Sequence, residues 1–307
     1  MPIQTQESDI KILQVLADYR ILSAKRTAYV LERNVRALQR RLGTLVTEKL
    51  VVETALTALK SGPGRPESAY SLTHAGFKFL VKRGILQESQ GHQMTTAEAL
   101  STQLLHQDMV NSARISLLQL DRNAEQFRID GISSNSPLAF EPSSSHPKTC
   151  ARVNLGSQGQ SHKKLFIPDF VFQVCDRVSE KSLLFFLEAD TGSEHLTSSN
   201  TNASTISGKV ACYQEYFRSD GYKQYETIWN QNFTGFRLLF LCSEKRRAAS
   251  LSRLVRSAEP SDFIWVTSLE DIVSDGLSGN IWYRGGRRNA YPESILGKLA
   301  IQIPLEL

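Results

Sequence analysis

The stretch SLLFFLEAD (182–190) decides the reading of this chain. Its apolar residues run unbroken from Leu183 to Leu187, and the run ends in Glu188, Ala189 and Asp190. A continuous apolar segment of this length, ending abruptly in charge, reads as a strand buried on both faces. Carboxylates closing such a strand sit at a sheet edge or in a cleft, where they must be paired or bound to metal. Glu188 and Asp190 are two positions apart and therefore point to the same side.

Working outward, KLFIPDFVFQV (164–174) reads as a neighbouring strand interrupted by Asp169, directly after Pro168. Lys209 stands at the start of the helix that follows Glu188 and Asp190. Asp169, Glu188 and Asp190 together are hard oxygen donors of the kind that hold Mg²⁺ or Mn²⁺. A cation among them polarises a phosphate and lowers the pKa of bound water, while Lys209 balances phosphate charge or orients that water. Each element alone is weak: Pro-Asp pairs are common at strand starts, and a Glu-x-Asp ending can simply pair with arginine. Their order and the trailing lysine carry the reading.

Three further residues lie near this pattern. Glu194 reads as a capping residue in preference to a supporting acid. Tyr213, one turn after Lys209, reads as a packing or phosphate-contacting side chain in preference to a covalent nucleophile. His106, in a long helix, reads as structural in preference to a site residue. There are no paired histidines of the HUH type, and neither GxxxxGK[ST] nor GxGxxG occurs.

The flanking segments set the architecture. A helical pattern covers 96–120, then FRIDGI (127–132) is a strand. Residues 133–163, rich in Ser, Pro, Gly and Gln, read as a long excursion between strands. A helix follows around 206–218, then the strand FRLLFLC (236–242), a helix around 245–257 and the strand DFIWVT (262–267). This order predicts an α/β sandwich with a mixed sheet, in the α/β (α+β) class.

Residues before 90 follow another pattern. Ile10, Leu13, Leu16 and Ala17 share a helical face capped by Ser8; a second helix starts at Ser23; and Asn34 caps a third with a stripe of Val35, Leu38, Leu42, Leu45 and Val46. The opposite face of that third helix carries Arg36, Gln39, Arg40 and Gly43. LVVETALTAL and AYSLT then form a hairpin around KSGPGRPES, and Thr73 opens a fourth helix. Three helices and a hairpin form the pattern of a winged helix-turn-helix, with Arg36, Gln39 and Arg40 facing the major groove and Lys60 and Arg65 on the wing. A protein-interaction module has the same outline; the arginines favour DNA. With a polar linker at 87–95, the chain divides into a DNA-binding domain, 1–90, and an α/β domain, 91–307.

Charge supports this division. Residues 1–90 hold 14 Lys/Arg against 8 Asp/Glu, and the remainder 22 against 23, so the net +5 belongs to the N-terminal segment. The four cysteines are far apart with no CxxC, which argues against zinc and disulfides and for a reducing compartment. With no long apolar run and no signal-peptide pattern, a cytoplasmic protein without membrane partners is expected.

Ile167-Pro168-Asp169 followed by Glu188-Ala189-Asp190 resembles the PD-(D/E)xK nuclease-like core. More closely, FLEADTGSE with Lys209-x-x-x-Tyr213, the later FRLLFLCSEKRRAASL and the N-terminal winged helix are similar to the replication-relaxation family, which includes MobC-type plasmid mobilisation relaxases. The resemblance spans roughly residues 8–285. It implies a sequence-specific relaxase or nicking endonuclease that acts on double-stranded DNA at a transfer or replication origin, with metal-dependent cleavage. It also implies Asp169, Glu188 and Asp190 as metal ligands and Lys209 as the basic residue. Other mobilisation proteins are implied partners, and a homodimer is left open. One departure stands out: Asp190 occupies the position of the core lysine, so either Lys209 takes that role from the helix or cleavage is lost. The alternative is a non-catalytic DNA-binding regulator or accessory factor with a degenerate nuclease fold.

Overall fold

The computed structural model describes residues 6–55, 68–93, 97–141, 144–155, 162–198 and 204–305. Its contacts form two units, one of Met1–Asn111 with Asn135–Lys148, the other of Ser112–Ser134 with Thr149–Glu306. The fold is α+β, with a helical N-terminal region and a mixed sheet in the C-terminal part.

In the first unit the order is α1 (Glu7–Tyr19), β1 (Ile21–Ser23), α2 (Ala24–Leu31), α3 (Val35–Thr47), β2 (Val51–Ala55), β3 (Ser68–Leu72) and α4 (His74–Lys82). The strands form an antiparallel sheet in the order β1-β3-β2. Caps start the helices where short polar side chains allow: Ser23, Asn34 and Thr73 accept from the backbone N–H groups of Arg26, Ala37 and Gly76. The first helix departs from the expected Ser8 cap. Gln6 is the N-cap, because Asp9 at the third helical position reaches back to the Gln6 N–H at 2.6 Å. The buried face of α1 runs through Ile12, Leu13, Leu16 and Ala17, while Ile10 is half-buried. Asp9 is itself fully buried and forks onto the Arg41 guanidinium, which ties α3 to α1. β1 had no counterpart in the sequence reading. The Asn111 amide satisfies carbonyls beside and within it, donating to Tyr19 O at 3.1 Å and Ile21 O at 2.6 Å. Residues 88–93 of the expected linker form a short 3₁₀ helix, and the hairpin loop with Lys60 and Arg65 lies outside the described residues.

In the second unit the sheet runs β11-β10-β9-β8-β7-β4, built from β4 (Phe127–Ser133), β7 (Phe170–Asp176), β8 (Lys181–Asp190), β9 (Phe236–Cys242), β10 (Ile264–Ser268) and β11 (Tyr283–Arg284). The strands β4, β7 and β8 pair antiparallel, whereas β8, β9 and β10 are parallel. β8 lies inside the sheet with neighbours on both sides, which is why seven consecutive residues from Leu184 to Asp190 are buried. Alternate residues face opposite sides. Leu184, Phe186, Leu238 and Phe240 pack against α6 (Ile206–Arg218) and α8 (Lys245–Ser257). Phe170, Phe172 and Phe185 stack on the other side, with Arg114 of α5 (Ala97–Asn123) 5.9 Å above the Phe170 ring. Gly131 on β4 makes room for the Phe170 ring, which a Cβ there would meet at 2.4 Å.

Two sequence expectations change here. The segment 164–174 is not one strand: β6 (His162–Phe166) ends, residues 167–169 leave the ladder, and β7 begins at Phe170. Pro168 has no N–H to donate, so the ladder stops there. The excursion at 133–163 also holds regular structure, since β5 (Ala151–Leu155) pairs antiparallel with β6 and buries Ala151 and Val153 in the core beneath α6. Between these elements lie α7 (Gln224–Trp229) and, after β10, α9 (Leu269–Asp275). Among the described residues no helix is long and apolar enough to cross a membrane, and the four cysteines are free.

Candidate functional site

The break at Pro168 puts Asp169 at the end of β8 rather than inside a ladder. Its carboxylate accepts a 2.8 Å hydrogen bond from the N–H of Ala189, the residue between Glu188 and Asp190. Glu188, 4 % exposed, points to the α6 side of the sheet. There the Tyr213 hydroxyl donates to its Oε1 at 2.6 Å, and Lys209 Nζ lies 3.3 Å from its Oε2. Lys209 and Tyr213 reach the same carboxylate because they are one helical turn apart on α6, whose start is held by the Thr205 cap. Lys209 also pairs with Glu194 at 2.9 Å, and Glu194 accepts from Ser204 Oγ at 2.8 Å. Glu194 is thus an ion-pair partner and not the capping residue expected of it.

Burial and the nearby Asp169 charge push the Glu188 carboxyl up to about 7, even though Lys209 and Tyr213 favour its ionised form. Burial works against the Lys209 ammonium, but the charges of Glu188 and Asp169 outweigh it and raise its pKa. Glu194 is held below its ordinary value: burial opposes this, and Lys209 prevails. Burial and then Glu188 drive the Tyr213 phenol well above its ordinary value, so Tyr213 stays a neutral donor.

Asp190 takes a different course. It lies on the same side as Glu188, but α8 covers it, and Arg247 grips it with Nε at 2.6 Å and a second nitrogen at 3.1 Å. The Gly192 N–H adds a third donor at 2.9 Å. Its oxygens are therefore satisfied by protein, and of the three expected acids it is Asp169 and Glu188 whose charges act on Lys209. Among the described residues no group of three or more His, Cys, Asp or Glu side chains is arranged to hold a metal ion. Two carboxylates nevertheless fit Mg²⁺ or Mn²⁺ chemically, since Mg²⁺ is commonly held by one or two protein carboxylates and keeps waters for the rest of its shell.

Other expected residues are dispersed. His106 belongs to the first unit, the acid–lysine cluster to the second. Arg36, Gln39 and Arg40 are exposed along α3. Arg247 was absent from the sequence-derived site; its signal was the buried Asp190, which demanded a cation.

Fold and site define an α+β protein with a buried glutamate held by a lysine and a tyrosine at the carboxyl end of an inner strand. The model of the replication-relaxation family matches residues 13–231, more than half of the chain, and the chain belongs to that family. Membership links it to replication and relaxation. No curated protein and no solved structure matches it.

Proposed function

We propose that this protein is a sequence-specific DNA-binding nicking endonuclease of the relaxase kind, with the first unit reading DNA and the Asp169–Glu188–Lys209 cluster cutting one strand. The observation that carries the reading is the convergence on Glu188: Asp169 is tied to the adjoining peptide, and Lys209 arrives from the following helix at 3.3 Å. The antiparallel strands β4, β7 and β8, followed by α6 and the parallel strand β9, have the strand and helix order of a PD-(D/E)xK-like core, which supports that assignment. The order α1-β1-α2-α3-β2-β3 supports a winged helix whose α3 offers Arg36, Gln39 and Arg40 to the major groove, with Lys60 and Arg65 for phosphate.

Asp169 and Glu188 are the residues that would hold Mg²⁺ or Mn²⁺, which when bound supplies Lewis-acid polarisation and a more acidic water. Lys209, kept protonated by the two acids, is placed to neutralise the scissile phosphate. Tyr213 fixes Glu188 by its hydrogen bond; at 1 % exposure it is enclosed, which disfavours it as a covalent nucleophile. Because Arg247 already pairs with Asp190, the proposed ligand set is confined to Asp169 and Glu188.

The test is relaxation of supercoiled plasmid carrying the cognate origin, with Mg²⁺ or Mn²⁺ added. Asp169→Ala and Glu188→Ala should abolish relaxation and leave DNA binding intact. A second reading, a non-catalytic DNA-binding regulator or accessory factor, is favoured by Lys209 itself, because it balances the acids without a metal. Binding with no cleavage under either metal would select it.

A further inference from the structure

At the opposite end of the parallel strands from Glu188, a cavity of about 300 Å³ opens where β8, β9 and β10 begin. Ser182, Arg237, Arg284 and Trp265 line it together with the rings of Phe217 and Phe263. Arg237 is the unusual member. Its guanidinium lies 4.9 Å from the Trp265 ring and 5.7 Å from that of Phe185, yet one enclosed nitrogen, Nη1, has no hydrogen-bond partner among the described residues. No described carboxylate lies within ion-pair distance of it. The enclosed Ser182 hydroxyl lacks a partner as well.

Stacking on tryptophan offsets part of the cost of desolvating an arginine, but it satisfies none of the N–H groups. Burial lowers the Arg237 pKa, and the neighbouring Arg284 lowers it further, with Glu293 acting weakly the other way. Asp262, the one carboxylate of the lining, is already shared between Arg287 at 2.7 Å and Arg284 at 3.8 Å. The lining thus sets two arginines against one carboxylate, beside flat apolar walls where Phe217 and Phe263 stack at 5.1 Å.

We propose that this cavity binds a small phosphate-bearing molecule with a flat aromatic body, a mononucleotide being the simplest that has both parts. Arg237 and Arg284 take the phosphate, and the aromatic walls take the base. Being at the other end of the strands from Glu188, this site stands or falls independently of the nuclease reading.

The experiment is calorimetric titration of the full chain with thymidine monophosphate, thymidine and inorganic phosphate separately. The nucleotide should bind saturably, with each half weaker by roughly tenfold or more. Arg237→Met should weaken nucleotide binding by a similar factor. Arg284→Ala, at an exposed residue, should weaken it by about threefold to tenfold without changing the melting temperature, and it decides the matter if the Arg237 variant does not fold. No nucleotide binding, equal binding by either half, or undiminished binding by the variants would overturn the proposal.

Discussion

The Tyr213 hydroxyl donates a 2.6 Å hydrogen bond to Glu188, and both groups are enclosed beneath α6. A buried carboxylate depends on each of its donors, so above pH 7, where Glu188 is ionised, Tyr213→Phe should cost about 1.5–3 kcal/mol in urea unfolding, the usual range for a hydrogen bond to a charged group. An unchanged midpoint would show that this contact contributes nothing net.

The raised Glu188 carboxyl makes stability depend on pH in metal-free protein. Its ordinary value is 4.5, and in the folded chain it is about 7. Below 4.5 both states hold the proton. Between the two values the unfolded chain has released it and the folded chain retains it, so this contribution to stability is lost as pH rises toward 7. Glu188→Gln should flatten the stability profile between pH 4.5 and 7, measured by denaturant melts across that window.

Arg247→Met leaves Asp190 buried and uncompensated, and should destabilise by about 3–5 kcal/mol. Adding Asp190→Asn should restore much of the loss. Equal melting curves for the single and double variants would contradict the pairing as the source of the effect.

On α3 the expectation concerns binding alone. Arg36→Ala and Arg40→Ala alter exposed side chains and should leave unfolding within about 0.5 kcal/mol of the parent. Each should weaken DNA binding, and a variant that removes a phosphate contact should also lower the slope of log affinity against log salt by about 1. Unchanged affinity in both variants would exclude α3 as the reading element.

Much of the fold was legible because period and burial agree. β8 carries an apolar run from Leu183 to Leu187 and β9 one from Leu238 to Cys242, and of the α3 stripe expected at Val35, Leu38, Leu42, Leu45 and Val46 the three leucines are buried. What failed did so for identifiable reasons. Apolar continuity through 164–174 hid the strand break, although Pro168 was in view. The alternation of Ala151 and Val153 with Arg152 and Asn154 was submerged in a stretch rich in loop-forming residues. For the site, strand period correctly put Glu188 and Asp190 on one side, but period cannot say which helix covers each position. Lys209 of α6 meets the first and Arg247 of α8 the second, and that division separates two acids only one residue apart in the intervening chain.

The 2.8 Å bond from the Ala189 N–H to Asp169 indexes one acid against the main chain of its neighbour instead of against another side chain. Any L-residue at 189 other than proline retains that donor, so spacing between the two carboxyl-bearing segments is insulated from drift at the position between them. Proline there would uncouple the pair outright, while the identity of the 189 side chain stays free to serve the opposite side of the sheet.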